Sequence, residues 1–142
     1  MADPVSDEAR HLIRESFARQ GLMSTLGARM DAIEAGRVTL SLPIDAHLCQ
    51  QHGFAHAGAS FALGDSAAGY AAMTLLDPGR DVLTVEMKIN LVAPASGQRL
   101  LAVGEVVKPG RRLTVVRATV LSEDASGTRR ETALLQGTMI PA

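Results

Sequence analysis

Residues 49–73 read CQQHGFAHAGASFALGDSAAGYAAM, and the fold follows from this stretch. It opens polar and Gly-containing. From Ala57 it becomes a run of small residues interrupted by one carboxylate, Asp65. Ala is the strongest helix former, yet Gly58, Gly64 and Gly69 each cost an exposed helix roughly 1 kcal/mol. The combination predicts an enclosed helix, with backbone approaching so closely that large side chains have no room. An acid inside such a helix needs a reason, because Asp is a poor interior helix residue.

Upstream, residues 25–34 and 37–44 read as two strands joined at Ala35-Gly36, with Val38, Leu40 and Leu42 alternating against Thr39 and Ser41. Residues 6–19 read as an amphipathic helix capped by Ser6, with Leu12, Ile13 and Phe17 on one face and Gln20-Gly21 closing it. Downstream, Leu76-Asp77-Pro78-Gly79 ends the central helix. Residues 82–93 alternate, with Leu83, Val85, Met87, Ile89 and Leu91 on one face and Thr84, Glu86, Lys88 and Asn90 on the other. Residues 99–107 are apolar on both faces, which predicts cover on both sides. Further strands are expected over 112–121 and 129–140. Helix, two strands, long helix and four strands make an α+β protein and not alternating βαβ units. The expectation is one domain over 1–142, its first 21 residues a helical segment, with a single antiparallel sheet curled around the central helix.

The 142 residues suit one core, and 46% apolar with 20% charged is ordinary for a globular chain. A net charge of −1 and no polybasic run argue against nucleic acid or anionic lipid as partners. No apolar run approaches the roughly 18 residues of a membrane span. MADPVSDEAR is acidic and polar, unlike a secretory leader, and the lone Cys49 fits a reducing compartment, so a cytoplasmic location is expected.

Four kinds of chemistry suit the central stretch. A helix beginning near His56 presents the Ala57 and Gly58 N–H groups, which can polarise a carbonyl and stabilise an oxyanion. Asp65 can act as general base or nucleophile, but eight residues of helix separate it from that start by about 12 Å. The two functions meet only if two chains lay their helices side by side in opposite senses, which predicts a homodimer with shared sites. The serines of Gly58-Ala59-Ser60-Phe61-Ala62 and Gly64-Asp65-Ser66-Ala67-Ala68 nearly match a nucleophile elbow, but both fall within the helix, where they read as packing residues returning hydrogen bonds to the backbone. His47, Cys49, His52 and His56 are ligand types that suit zinc, at a spacing that matches no metal motif. His56 reads better as a cap beside the helix start. Lys108, Arg111 and Arg112 flank the Pro109-Gly110 turn and can meet phosphate groups or simply form a solvated tip.

Gly53-Phe54-Ala55-His56-Ala57-Gly58, followed by Leu63-Gly64-Asp65-Ser66-Ala67-Ala68-Gly69-Tyr70-Ala71-Ala72, resembles the hotdog-fold acyl-CoA thioesterases of the phenylacetate-pathway, PaaI-like group. The resemblance spans roughly residues 30–140. It implies a curved antiparallel sheet wrapped around the helix and assembly into a homodimer, often a homotetramer. It implies acyl-CoA hydrolysis at the dimer interface without metal or other cofactor, coenzyme A being part of the substrate. Ala57 then takes the place of the family's first motif Gly, whose N–H polarises the carbonyl, and Asp65 that of the catalytic acid from the neighbouring chain. Thr84 falls where some members have a water-positioning Ser, and Gln50 where some have Asn. Lys108 and Arg111 resemble the hairpin that meets the CoA phosphates. An acyl-CoA hydratase or dehydratase recruiting His56, or a non-catalytic acyl-CoA binding module, would use the same frame.

Overall fold

Helix α1, Asp7–Ala18, opens the protein, and a computed structural model describes residues 4–142 of the chain. The first three residues of the expected N-terminal segment lie outside that range. Ser6 caps α1 as expected, its Oγ accepting the Ala9 N–H at 3.1 Å. A second short helix follows, α2, Gly21–Leu26. This corrects the expected strand start at residue 25: Met23 is drawn into the core, and Gly27, at φ 71°, closes α2 in the left-handed region.

Strands β1 (Arg29–Glu34) and β2 (Arg37–Pro43) form the expected hairpin. A single 3₁₀ turn, Ala46–Leu48, leads to the central helix α3, Ala57–Met73. Strands β3 (Val82–Leu91), β4 (Arg99–Lys108), β5 (Thr114–Glu123) and β6 (Arg129–Pro141) complete one six-stranded antiparallel sheet in the order β1-β2-β4-β5-β6-β3. The chain thus leaves α3 for the far edge, β3, before filling the centre with β4.

α3 lies across one face of this sheet, and its composition has the expected cause. A Cβ on Gly104 of β4 would stand 2.2–2.4 Å from the backbone of Ala67 and Ala68, so helix and strand touch main chain to main chain. Ala67 and Ala68 are fully buried in that contact, Ala71 is fully buried one turn on, and Gly64 leaves room for the Leu135 side chain. The predicted cover on both faces of β4 holds for Leu100 and Ala102 on the helix side. On the outer side it stops at Leu101, with Val103 half-buried and Val107 exposed.

β3 departs from strict alternation. A bulge between Thr84 and Glu86 inserts one extra residue against β6. Val82, Met87 and Ile89 pack towards the core, and Thr84 turns to α3, while Leu83 and Val85 face solvent at 60% and 52% exposure. The expected grouping of Leu83 and Val85 with Met87 and Ile89 is therefore corrected: the bulge shifts the phase of the pleat. The two sheet edges also differ. β1 is short and carries Arg29, Asp31 and Glu34, whereas β3 is ten residues long with exposed Leu83, Val85 and Leu91.

Candidate active site

The start of α3 is built by the loop before it. Gln50 N–H donates to Phe54 O at 2.8 Å and Ala55 pairs with Cys49, so the loop closes on itself; Ala55 N–H also donates to Ala95 O, tying it to the segment after β3. His56 is the N-cap, its Nδ1 accepting the Gly58 N–H at 2.8 Å. That bond fixes the proton of the neutral ring on Nε2. The Ala57 N–H makes no hydrogen bond among the described residues and opens on a cavity of about 570 Å³ lined by Gln50, Phe54, His56, Ser60, Leu91 and Thr132, among others. Gln50 uses its Oε1 to accept from His52 N and Phe54 N, at 2.5 and 3.4 Å, which leaves its amide NH₂ for a ligand. An unpaired N–H and a side-chain amide thus border a cavity of mixed polar and apolar lining where a carbonyl oxygen can be held.

Gly58 does not share this arrangement. Its N–H is occupied by His56, and the residue borders a separate apolar groove of about 360 Å³ with His47, Cys49 and Leu48. Of the two amides expected to hold a carbonyl, only Ala57's is free. Among the described residues no three His, Cys, Asp or Glu side chains converge as a ligand set.

Asp65 sits two turns on, in a smaller cavity of about 250 Å³ with Ser66, Gly69, Tyr70, Val82 and Thr84. The Thr84 hydroxyl, turned inward by the bulge, donates to Asp65 Oδ1 at 2.7 Å and lies 3.2 Å from Met139 Sδ. Burial pushes the Asp65 carboxyl above its ordinary value, and the Thr84 hydrogen bond pulls the other way. Behind it, Gln20 Nε2 donates to the Tyr70 hydroxyl at 2.8 Å, and Ser16 Oγ lies 3.1 Å from the same oxygen. This network pins the N-terminal helices to α3. Sequence reading missed it, although a sole Tyr inside a run of Gly and Ala was a signal that its hydroxyl needed partners.

Within one chain the candidates therefore fall into separate places. Gln50, His56 and Ala57 gather at the start of α3, and Asp65 and Thr84 further along it. Lys108, Arg111 and Arg112 are exposed at the tip of the β4–β5 hairpin. That tip belongs to the Asp65 end of the sheet: Thr114, just past it, pairs with Met139, and Met139 pairs with Thr84. The Ala57 cavity lies at the opposite end of β3, against Leu91 and Val92.

The thioesterase superfamily pattern matches residues 52–127, more than half of the chain. The chain belongs to the thioesterase superfamily. A solved thioesterase family protein from Silicibacter pomeroyi is 47% identical and superposes with a TM-score of 0.90, covering 94% of this chain and 97% of its own. The Escherichia coli PaaI protein of the phenylacetic acid degradation operon superposes with a TM-score of 0.84 over 97% of this chain and 96% of its own; at 19% identity it speaks for the fold alone. The sheet wrapped on α3 is thus the hotdog fold of the PaaI-like thioesterases. A 1,4-dihydroxy-2-naphthoyl-CoA hydrolase from Listeria monocytogenes is 25% identical over 103 residues, 72% of this chain and 84% of the relative. These relationships support thioester hydrolysis as the general chemistry of this thioesterase superfamily chain.

Proposed function

We propose that the protein hydrolyses acyl-CoA thioesters at sites shared between two copies of the chain. One observation carries the reading: the unpaired Ala57 N–H and the Asp65 carboxylate sit in different cavities at opposite ends of the exposed apolar edge β3. Antiparallel pairing of β3 with its own copy about a twofold axis near Glu86–Met87 extends the sheet. It brings the Thr84 end of one strand beside the Leu91 end of the other. Asp65, Thr84 and the cationic hairpin of one chain then complete the Ala57 cavity of its partner.

In that composite site the carbonyl oxygen accepts from Ala57 N–H and the Gln50 amide. Ionised Asp65 takes a proton from water as the water oxygen bonds to the carbonyl carbon; the oxyanion collapses, the C–S bond breaks, and the proton passes from Asp65 to the CoA thiolate. Direct attack by the carboxylate through an acyl anhydride gives the same products, and where water then opens the anhydride at the Asp65 carbon, label from isotopic water enters Asp65 in a single turnover. Lys108, Arg111 and Arg112 face the CoA phosphates. Hydration of an enoyl-CoA by His56 is disfavoured, because its Nδ1 lone pair is engaged by Gly58 N–H and the ring is left only a donor.

The test is thiol release from a panel of acyl-CoAs, with an enoyl-CoA included. Wild type is expected to release thiol and Asp65→Asn to lose about 10²–10⁴-fold in rate. Hydration without thiol release, or an Asp65→Asn variant at wild-type rate, would sink the proposal.

A further inference from the structure

Ser60 lines the Ala57 cavity at only 2% exposure, and its hydroxyl makes no hydrogen bond among the described residues. A serine in a helix ordinarily returns its proton to the carbonyl four residues back, whereas the Ser60 oxygen is left reachable from the cavity. The carbonyl in that position, His56 O, accepts instead from Ala59 N–H at 2.9 Å and Ser60 N–H at 3.4 Å. The other hydroxyl on the cavity wall behaves differently: Thr132 Oγ1 donates to Val120 O at 3.2 Å and is committed to the sheet. The wall around Ser60 is mixed, with Phe54, Leu91 and Val92 beside Gln50 and Gln51.

Ser60 is also in the right place. It lies three residues after Ala57 on the same helix face, and helical side chains lean back towards the N-terminus, over the preceding turn. Both residues line the same cavity.

We propose that the Ser60 hydroxyl is a third donor to the substrate carbonyl, joining the Ala57 N–H and the Gln50 amide in a mixed side-chain and main-chain oxyanion site. The inference rests on the thioesterase reading and adds a catalytic residue to it. A nucleophilic Ser60 is a different matter, since it needs a base. The Nδ1 lone pair of His56 is already taken by Gly58 N–H, and the Asp65 that the second copy brings to this cavity in the shared site is engaged by the attacking water. Ser60 accordingly keeps its O–H bond throughout: it donates to the carbonyl oxygen as negative charge builds there and is unchanged when the C–S bond has broken.

The experiment compares wild type with Ser60→Ala, a change that suits a helix. Three readouts are taken: thiol release, melting temperature, and the infrared carbonyl band of a bound ketone analogue of acyl-CoA with methylene in place of sulfur. The expected result is a fall of about 10²-fold in kcat with little change in KM. The melting temperature stays level or rises, since no protein hydrogen bond is lost. The carbonyl band moves to higher frequency, because one donor has gone. A merely structural serine would leave that band where it was. Wild-type kcat together with an unmoved band overturns the Ser60 assignment; if Asp65→Asn still abolishes thiol release, the hydrolase reading survives that outcome. A wild type that releases no thiol, but whose carbonyl band shifts on Ser60→Ala, keeps the donor and removes the hydrolase. A fluorophosphonate that labels Ser60 with loss of activity overturns the donor role in favour of a nucleophile.

Discussion

Replacing Ala57 by proline removes one hydrogen atom from the candidate site and almost nothing from the fold. Ala57 is the first residue of α3, a position where proline is favoured because the missing N–H has no helical partner. His56, at φ −62° and ψ 141°, already has the extended backbone that a residue before proline requires. The Ala57 N–H makes no hydrogen bond among the described residues, so none is lost. Stability should stay level or rise by about 0.4–1 kcal/mol through the stiffer unfolded chain. Activity should not. Losing one preorganised donor to an oxyanion costs about 10²–10³ in rate, or about 2.7–4 kcal/mol, and the pyrrolidine ring also fills the approach to the backbone. The assay pairs thiol release from acyl-CoA with thermal melting of the same sample. A second arm mixes Ala57→Pro with Asp65→Asn after dissociation and reassembly. Half of the dimers are then mixed, each holding one intact site of two, so about a quarter of wild-type activity should return. Ala57→Pro at wild-type kcat/KM refutes the role of this amide. Absence of recovery on mixing refutes the shared site.

Thr84→Val keeps the shape of the side chain and deletes the 2.7 Å hydrogen bond to Asp65. That bond lowers a carboxyl already raised by burial, so the acidic limb of kcat/KM against pH should move to higher pH, which a pH-rate profile reads. The same shift makes a stability prediction. A carboxyl raised on folding supports the fold fully below its unfolded value of 3.8, and the support is lost as pH rises through the folded value. Asp65→Asn should therefore melt at or above wild type at pH 7, with the gap closing in acid. Gly104→Ala drives a methyl to 2.2–2.4 Å from the α3 backbone; chemical denaturation should show a loss of about 1–3 kcal/mol or more. Neutralising Lys108, Arg111 and Arg112 to Gln should raise KM roughly tenfold for acyl-CoA, leave kcat in place and weaken the salt dependence of kcat/KM.

What was legible in the sequence follows from the length scale of each signal. Seventeen residues of α3, rich in Gly and Ala, point to a closely packed helix, because only main-chain contact with a strand explains that composition. The strands of 82–93 and 99–107 were readable from alternation over ten residues. α2 was not: six residues hold fewer than two turns, too few for a helical period to show against the alternation that follows. The bulge was not, because one inserted residue is defined against the partner strand, and Val85 continues the apolar pattern. At the site, residue types marked His56, Ala57 and Asp65, but the use of each polar atom was out of reach. Whether Gly58 or Ala57 keeps a free N–H depends on the ring orientation of His56. Whether Ser60 returns its proton to the helix depends on what already occupies one carbonyl.

The bulge joins these levels. With strict alternation Thr84 would share the outer face with Glu86, Lys88 and Asn90, and Asp65 would have burial alone to set its proton affinity. A carboxyl governed only by burial holds its proton more tightly and has a smaller ionised fraction to act as base; one governed only by hydrogen bonds is ionised but weakly basic. The extra residue in β3 brings a single donor to Asp65 while leaving the rest of the strand in register with β6. The same bulge leaves Leu83 and Val85 exposed along the free edge. One local irregularity thus adjusts the candidate base and shapes the surface through which that base would reach the partner's carbonyl. Tuning and assembly should therefore be coupled: deleting Val85 should weaken dimerisation and move the acidic limb together, whereas Thr84→Val should move the limb alone.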